Sequence, residues 1–290
     1  MRYIEPSFSE IKKQSYFDFV ALVGHNCYQV DRTSDNEAFV KRLITNRHLA
    51  MVEHYNFGAE ISKSYYDELV RCNSRFLVLV SHLDRYYVSF SLRELLEVYD
   101  RSKDSPILNL IAILPVELQN MFEVKYHLDD AKLLSEEEID NLPKEVYEKL
   151  KYVTLRLVTD RGVTHEIVRH RICSFAQEST RYCNYSKNKF GNELTFIKPL
   201  DYEGNEKEYD SIFSECEKSY LNLISKGVVP EFARSVLPNK LKATIIVTCN
   251  IAEWKVIFEL RGSERAHPDM RQLILPIIEY FKKEGYLKWN

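Results

Sequence analysis

Apolar residues recur at helical or alternating spacing along most of the chain, and this pattern predicts its elements. The N-terminal part predicts a short strand near Tyr3, a helix around Val20 and a second helix over residues 36–44. Asp35 or Ser34 is placed to cap the second helix, because a side-chain oxygen there can accept a hydrogen bond from the first helical turn.

The next part of the chain predicts extended structure followed by a helix. Residues 55–61 have an extended pattern, and residues 75–80 and 86–90 predict two strands paired across a polar turn. Ser91 then opens a helix that continues to Val98.

Residues 129–151 differ from their surroundings, because they are rich in charge and poor in large apolar side chains. This composition predicts a solvated helix that restarts at Pro143. The segment is therefore interpreted as part of an insertion or as a boundary.

After this segment the apolar pattern returns. Residues 152–158 predict a strand, residues 160–162 a turn, and a helix begins near Thr164. Residues 174–192 are rich in Ser and Asn and predict a loop, which leads to a strand over residues 194–198.

The last third of the chain is predicted to be mainly helical. Pro230 suits the first turn of a short helix, Asn250 is placed to cap a helix over residues 251–260, and Pro268 opens the terminal helix. Residues 241–250 contain the run ATIIVT, for which periodicity leaves helix and strand both open. The apolar face of the helix before Pro230 is Ile212, Phe213, Cys216, Tyr220, Leu223 and Ile224.

Composition indicates a globular protein without a strong charge bias. Of 290 residues, 45% are hydrophobic and 29% charged, and the net charge of −3 provides no broad positive field to hold a polyanion. The apolar stretches are too short for a signal peptide or a membrane span, so we expect a cytoplasmic protein without a membrane partner.

The cysteines show no metal-binding pattern. The six are scattered without a C-x-x-C pair and without a histidine at zinc-finger spacing, so no metal site is predicted. We expect reduced thiols that pack as small apolar side chains.

The most informative segment is residues 169–182, RHRICSFAQESTRY, at a predicted junction of helix and loop. It places three arginines and a histidine close together, and guanidinium groups match the geometry of phosphate and carboxylate. Successive helical residues point about 100° apart, so Arg169, His170 and Arg171 cannot all face one ligand. A phosphate-bearing ligand is expected where different subunits or ligands meet.

This string resembles the signature of the flavin-dependent thymidylate synthases, the ThyX family. The signature is Arg169-His170-Arg171, seven residues, then Ser179 and Arg181-Tyr182. The segments Glu53-His54 with Phe57, Ala233-Arg234 through Leu237-Pro238, Asn250, and Leu260-Arg261 resemble further family segments in the expected order.

The resemblance implies an α/β (α+β) fold of ThyX type, with a central, mostly antiparallel sheet flanked by helices. It implies a single domain over residues 1–290, in which residues 62–150 are largely an insertion. The chain departs from the family at Ala176-Gln177, where Asn-Glu is frequent, and at Glu166, Val256 and Arg265, where Gln, Asn and His occur.

The implied reaction is the reductive methylation of dUMP to dTMP, with methylenetetrahydrofolate as carbon donor, FAD as hydride carrier and NADPH as reductant. The resemblance also implies a homotetramer with shared active sites. The implied dUMP-binding residues are Glu166, Arg169, Gln177, Ser179, Arg181, Arg234 and Arg261. The implied FAD-binding residues are His54, Asn56, Arg169, His170, Arg171, Gln177, Asn250 and His267.

Arg261 and Ser179 are the candidate catalytic residues. A guanidinium at Arg261 would stabilise negative charge that develops on the uracil ring. Ser179 has no recognisable base beside it, which favours positioning of the substrate over nucleophilic attack. Cys173 and Cys183 match no residue that the ThyX pattern requires, so neither is expected to be catalytic.

Two other functions are consistent with the Arg/His cluster. In a nucleic-acid-binding protein or ribonuclease, Arg169, His170 and Arg181 would contact phosphates, although the chain is nearly neutral. A non-catalytic flavin-binding relative could have lost nucleotide binding through Ala176-Gln177, but Arg181, Arg234 and Arg261 are all retained.

Overall fold

The computed structural model describes residues 1–28 and 35–289. Its strands are β1 Arg2–Ile4, β2 Ser7–Glu10, β3 Asn56–Ile61, β4 Val78–His82, β5 Arg85–Ser91, β6 Ala131–Leu133, β7 Tyr152–Asp160, β8 Ser174–Gln177, β9 Thr195–Ile197 and β10 Lys242–Asn250. Its helices are α1 Tyr16–Tyr28, α2 Asn36–Thr45, α3 Lys63–Cys72, α4 Leu92–Arg101, α5 Val116–Gln119, α6 Glu136–Asp140, α7 Lys144–Leu150, α8 Arg161–Ile167, α9 Glu206–Ser225, α10 Pro230–Ala233, α11 Ile251–Arg261 and α12 Pro268–Lys283. Short 3₁₀ helices span Val52–His54, Pro106–Ile113, Asn188–Phe190 and Arg234–Val236.

Two four-stranded antiparallel sheets organise these elements. One has the order β2-β7-β10-β8 and the other β4-β5-β3-β6, while β1 and β9 form a small parallel pair. The prediction of a mixed α/β chain with antiparallel sheet flanked by helices is confirmed. Strands β3, β4, β5 and β6 form a second antiparallel sheet beside the one that contains β7 and β10.

Strand β10 lies inside the first sheet and resolves the ambiguity of the ATIIVT run. It pairs with β7 from Lys242 opposite Asp160 to Asn250 opposite Tyr152, and with β8 on its other edge. Eight of its nine residues are buried, so a run that is apolar on both faces suits a strand covered on both sides.

Strand β8 corrects the prediction of a continuous loop over residues 174–192. Residues 174–177 pair with β10, with Ser174 opposite Thr248 and Gln177 opposite Ile245. The Ser- and Asn-rich composition of the rest of the segment dominated the local pattern, whereas the pairing joins residues about 70 positions apart in sequence.

The segment over residues 129–151 is less solvated than its composition predicts. Strand β6 pairs with β3, and α6 and α7 bury Ile139, Val146 and Tyr147, with α7 in contact with β4, β5, β10 and α11. Lys151 is only 8% exposed. The charged positions lie on the outer faces of short elements whose inner faces are apolar. Because each element is short, its few apolar residues gave no clear periodic pattern, and their burial was not predicted.

Helix boundaries follow the capping residues. Asp35 accepts a hydrogen bond from Ala38 N and caps α2 as predicted, and Ser34 lies outside the described residues. Asn250 caps α11 by accepting from Glu253 N, also as predicted. Asp160 accepts from Val163 N, so α8 begins at Arg161, three residues before the predicted start.

The C-terminal third packs as predicted, with one exception. Phe213 and Tyr220 of α9 are buried against β9, but Ile212 is 60% exposed and does not belong to the buried face. Helix α12 begins at Pro268 and packs with α11 on the first sheet. No helix among residues 1–28 and 35–289 is long and apolar enough to cross a membrane.

Candidate active site

A buried histidine and an arginine meet where α8 and α11 end. Arg261, the last residue of α11, donates from Nε to His170 Nε2 over 3.2 Å. It also donates from Nη1 to the Glu166 carboxylate over 3.0 Å and from Nη2 to the Glu166 carbonyl over 3.1 Å. The structure therefore brings together three of the predicted site residues.

His170 is held from both sides of its ring. Its Nδ1 lies 3.4 Å from Oε1 of Glu253, in the first turn of α11, and its Nε2 faces Arg261. Burial lowers the pKa of His170, and the neighbouring Arg261 cation lowers it further, whereas Glu253 opposes the shift. These contacts favour a neutral imidazole that accepts from the arginine.

The Arg261 guanidinium keeps part of its hydrogen-bonding capacity. A guanidinium carries five N–H donors, and the three contacts within the described residues use one N–H each. The side chain is 22% exposed. Arg261 is therefore held in one orientation and still has donors for an external ligand.

The predicted Glu-His segment forms a second buried group. His54 Nδ1 lies 2.8 Å from Thr248 Oγ1, which in turn lies 2.8 Å from Thr154 Oγ1. Burial lowers the pKa of His54 to about 3, against a smaller opposing effect of the Phe175 backbone. His54 is therefore a neutral ring at the interface between the first sheet and α1.

Glu53 joins this group to the strand that follows the Arg-His-Arg segment. Its Oε1 accepts from Ser174 Oγ over 3.0 Å, and its Oε2 is paired with Arg93 of α4. The link connects β8, the Glu-His segment and the region predicted as an insertion.

A cavity of about 380 Å³ opens beside His54. Asn56, Tyr152, Lys13, Lys151 and Glu136 are among its lining residues. Asn56 itself donates from Nδ2 to the Glu53 carbonyl over 3.3 Å. Two predicted flavin-binding residues, His54 and Asn56, thus share one cavity with charged groups of both signs.

The segment over residues 177–181 is anchored by a buried ion pair. Glu178 is 2% exposed, and its Oε2 lies 2.6 Å from Lys242 Nζ while its Oε1 accepts from Tyr185 Oη over 2.9 Å. Gln177 donates to Thr164 Oγ1 over 2.9 Å. This anchoring presents Ser179 and Arg181 at the end of β8.

The backbone amide of Arg181 contacts the side-chain hydroxyl of Ser179. Arg181 N lies 3.4 Å from Ser179 Oγ, and the exposed Arg181 guanidinium lies 3.4 Å from Glu231. No residue placed to act as a base on the Ser179 hydroxyl has a hydrogen bond to it in the described part of the chain. The arrangement agrees with a positioning role.

The remaining predicted residues are not gathered at these two buried groups. Arg169, Arg171, Arg234 and His267 are exposed, and His267 accepts from Asp269 N at the start of α12. Asn250 is buried, where its side chain caps α11 and donates to the Lys149 carbonyl over 3.2 Å. Within one chain, Asn250 therefore has a structural role.

Several functional neighbours escaped the sequence analysis. Glu253, Thr248 and Lys242 each contact a predicted site residue or its anchor, yet none belongs to a recognisable motif. The position of Glu253 three residues after a capping Asn250 was the available signal. Cys183 is buried, and burial followed by the nearby Glu178 carboxylate raises its pKa to about 12, which argues against a thiolate nucleophile.

Comparisons with known proteins agree with this distribution of residues. Residues 139–284, half of the chain, match the family model described as thymidylate synthase complementing protein. The chain is 35% identical over 136 residues to the flavin-dependent thymidylate synthase of Pyrococcus furiosus, an alignment that covers 44% of this chain and 55% of the relative. It is 35% identical over 125 residues to the enzyme of the same name from Geobacter sulfurreducens, covering 42% and 52%.

A third relative, the flavin-dependent thymidylate synthase of Pyrococcus abyssi, is 33% identical over 131 residues, covering 44% of this chain and 53% of the relative. The chain thus spans about half the length of the curated relatives it matches. The matched range contains the joined residues Glu166, His170 and Arg261 and the segment from Gln177 to Arg181. Because the family model covers half of the sequence, the chain belongs to the thymidylate synthase complementing protein family.

Proposed function

We propose that the protein is a flavin-dependent thymidylate synthase, an FAD-dependent methyltransferase that converts dUMP to dTMP with methylenetetrahydrofolate and NADPH. The observation that carries this proposal is the family match over residues 139–284, which includes Arg261 and the two residues that hold it. The names of the relatives and the resemblance of residues 169–182 support the same reaction.

In this proposal Arg181 and Arg234 bind the dUMP phosphate. Both side chains are exposed, and the Arg181 guanidinium lies 3.4 Å from Glu231 and 5.6 Å from the centre of the Tyr182 ring. Guanidinium groups bind phosphate through paired N–H donors, which fits this role. Gln177 and Ser179, presented by the anchored end of β8, help to hold the nucleotide.

Arg261 acts on the uracil ring, with Glu166 and His170 as its supports. Methyl transfer requires negative charge to develop on the ring, and a fixed cation that is already oriented stabilises such charge without reorganisation. The remaining N–H donors of Arg261 are available for this contact. Arg169, which precedes His170 in the sequence, provides a further cation.

The residues present also fit a flavin. The buried His54 Nε2 has no well-aligned hydrogen-bond partner among the described residues, and the ring borders the cavity of about 380 Å³. His54 and Asn56 would contact the flavin from this side, with Arg169, His170, Arg171, Gln177, Asn250 and His267 as the other proposed FAD-binding residues. Bound FAD would supply hydride transfer, and the chain would bind, orient and shield it.

We further propose a homotetramer with shared active sites, located in the cytoplasm. The side chains of Arg169, Arg171 and Arg234 are exposed in one chain, which is consistent with a site completed by other subunits. The overall fold is proposed to be of ThyX type in a single domain, with residues 62–150 as a large insertion.

Flavin binding and product formation test the proposal separately. Protein incubated with FAD and desalted should keep a flavin absorbance band, and addition of dUMP, methylenetetrahydrofolate and NADPH should yield dTMP. The variant Arg169→Ala/Arg171→Ala should lose most of the band, whereas Arg71→Ala, an exposed arginine of α3, should retain it.

A colourless protein that forms no dTMP would contradict the proposal. Salt-sensitive binding of RNA or DNA by the same flavin-free protein would instead favour the nucleic-acid alternative. A yellow protein without dTMP formation would favour the non-catalytic flavin-binding alternative.

A further inference from the structure

Two cysteines stand opposite each other at the end of the β8–β10 pairing. The strands are antiparallel, and their last paired residues are Ser174 and Thr248. One residue beyond this pair come Cys173, in the bend that precedes β8, and Cys249 of β10, and a continued register places them opposite each other. Such neighbours have Cα atoms about 4.5 to 5.5 Å apart, within the range that a disulfide spans.

Both thiols lie on the same face of the sheet. Side chains alternate along a strand, so Ser174 and Thr248 face Glu53 and His54 while both cysteines face the core formed with α11 and α12. Cys173 is 5% and Cys249 1% exposed, and both belong to the same buried apolar cluster.

The pair is adjacent to two parts of the proposed flavin site. Cys173 N donates to the His170 carbonyl over 3.0 Å, which closes the turn that carries this histidine. Cys249 immediately precedes Asn250, the capping residue of α11. A bond between the sulfur atoms would therefore fasten the His170 turn to the start of α11.

We propose that Cys173 and Cys249 are a redox modification site that forms a reversible intrachain disulfide when a hydroperoxide is the oxidant. One thiolate attacks a peroxide oxygen and breaks the O–O bond, which gives a sulfenic acid and releases water or an alcohol. The second thiol attacks the sulfenic sulfur, the S–S bond forms, and a water molecule leaves. The two thiols lose two electrons in total, and the peroxide gains them.

Burial sets the expected rate of this reaction. It raises the pKa of Cys249 well above the ordinary value for a thiol, with the Cys173 contact as the next contribution, so the thiolate is scarce. We expect oxidation to be slow and the product to be well protected once formed. The half-buried Cys72 and Cys216 should be modified earlier.

The test is a peptide map of the whole chain after hydrogen peroxide treatment, with free thiols blocked by N-ethylmaleimide under denaturing conditions. Cleavage after Arg171 and Arg181 isolates Cys173 in residues 172–181, and cleavage after Lys242 isolates Cys249 in residues 243–255. The expected result is one species in which these two peptides are linked, converted back to separate peptides by dithiothreitol.

Two variants and a thermal measurement complete the design. Cys249→Ala should abolish the linked species, and Cys72→Ala should leave it unchanged. The midpoint of thermal unfolding should rise on oxidation of the wild type and of Cys72→Ala, because a long loop is closed, but not of Cys249→Ala.

The wild-type map decides the question even if Cys249→Ala does not fold. The proposal is overturned if Cys173 and Cys249 still react fully with N-ethylmaleimide after Cys72 and Cys216 have been completely oxidised. It is also overturned if either cysteine is recovered linked only to another partner. Neither readout depends on flavin binding or on dTMP formation, so failure here leaves the proposed enzyme activity intact.

Discussion

The buried pair Glu178–Lys242 offers the sharpest test of how the nucleotide segment is held. Glu178 lies between Gln177 and Ser179, so its anchoring fixes both neighbours at the end of β8. We predict that Lys242→Met destabilises the protein, because it leaves the carboxylate buried with Tyr185 as its remaining side-chain donor.

The size of the effect follows from the burial of the two partners. Removing one partner of a buried ion pair typically costs about 3 to 5 kcal/mol. Lys242 is partly exposed and Tyr185 still donates to Glu178, so we expect a loss of about 3 kcal/mol in the free energy of unfolding. Glu178→Gln should cost about 1 to 2 kcal/mol, since the lysine can reach water.

A double-mutant cycle measured by urea unfolding checks these values. The variant Glu178→Gln/Lys242→Met should be more stable than Lys242→Met alone, with an interaction energy of about 3 kcal/mol. Lys198→Met is the matched control, because Lys198 pairs with the exposed Glu203 and should cost no more than about 0.5 kcal/mol. Additive costs, or a cost of Lys242→Met equal to that of the control, would refute the reasoning.

Three further predictions concern the site residues, the buried His54 and the charged segment over residues 129–151. Arg261→Ala should lower turnover at saturating dUMP by about 10² to 10³, whereas Arg181→Ala should mainly raise the Michaelis constant for dUMP, and steady-state kinetics of dTMP formation would expose an exchange of these roles. The folded-state pKa of His54 is about 3, below its unfolded value, so the unfolded chain binds one more proton between about pH 6.5 and 3. The contribution of His54 to stability is therefore complete above about pH 6.5 and is lost as the pH falls. When unfolding free energies are measured at several pH values, their slope against pH in this range should be smaller in His54→Gln than in the wild type, by up to one proton. An equal slope would count against the burial argument. Lys151→Met should cost about 1 kcal/mol in urea unfolding, because it leaves two carboxylates without their shared cation, and the exposed Lys132→Met should cost less; equal costs would mean that the segment is solvated after all.

Features fixed by neighbouring residues could be read from the sequence. The caps Asp35 and Asn250, the proline at position 268 and the hairpin between β4 and β5 depend on local hydrogen bonds and backbone angles, and all are found as predicted. Strands β6 and β8 were missed, because each has only three or four residues and is stabilised by pairing with a strand far away in sequence.

The same division applies to the candidate site. The spacing of Arg169 through Tyr182 predicted a ligand-binding turn, and Arg261 was identified by resemblance. The contacts of Glu253 and Thr248 were not predicted, because they exist only after α11 and β10 have packed against the turn and the Glu-His segment. A pattern along one chain contains no information about which carboxylate meets which ring.

The length of strand β10 fixes the contacts made by residues at both of its ends. Lys242 at its start holds Glu178, Thr248 near its end meets His54, and Asn250 begins α11. Inserting or deleting one residue within the strand would turn Thr248 toward the apolar core and Cys249 toward the histidine, while moving one terminal partner out of reach. Protein engineering that alters spacing in this protein should therefore leave residues 242–250 intact and vary the connections outside the sheet.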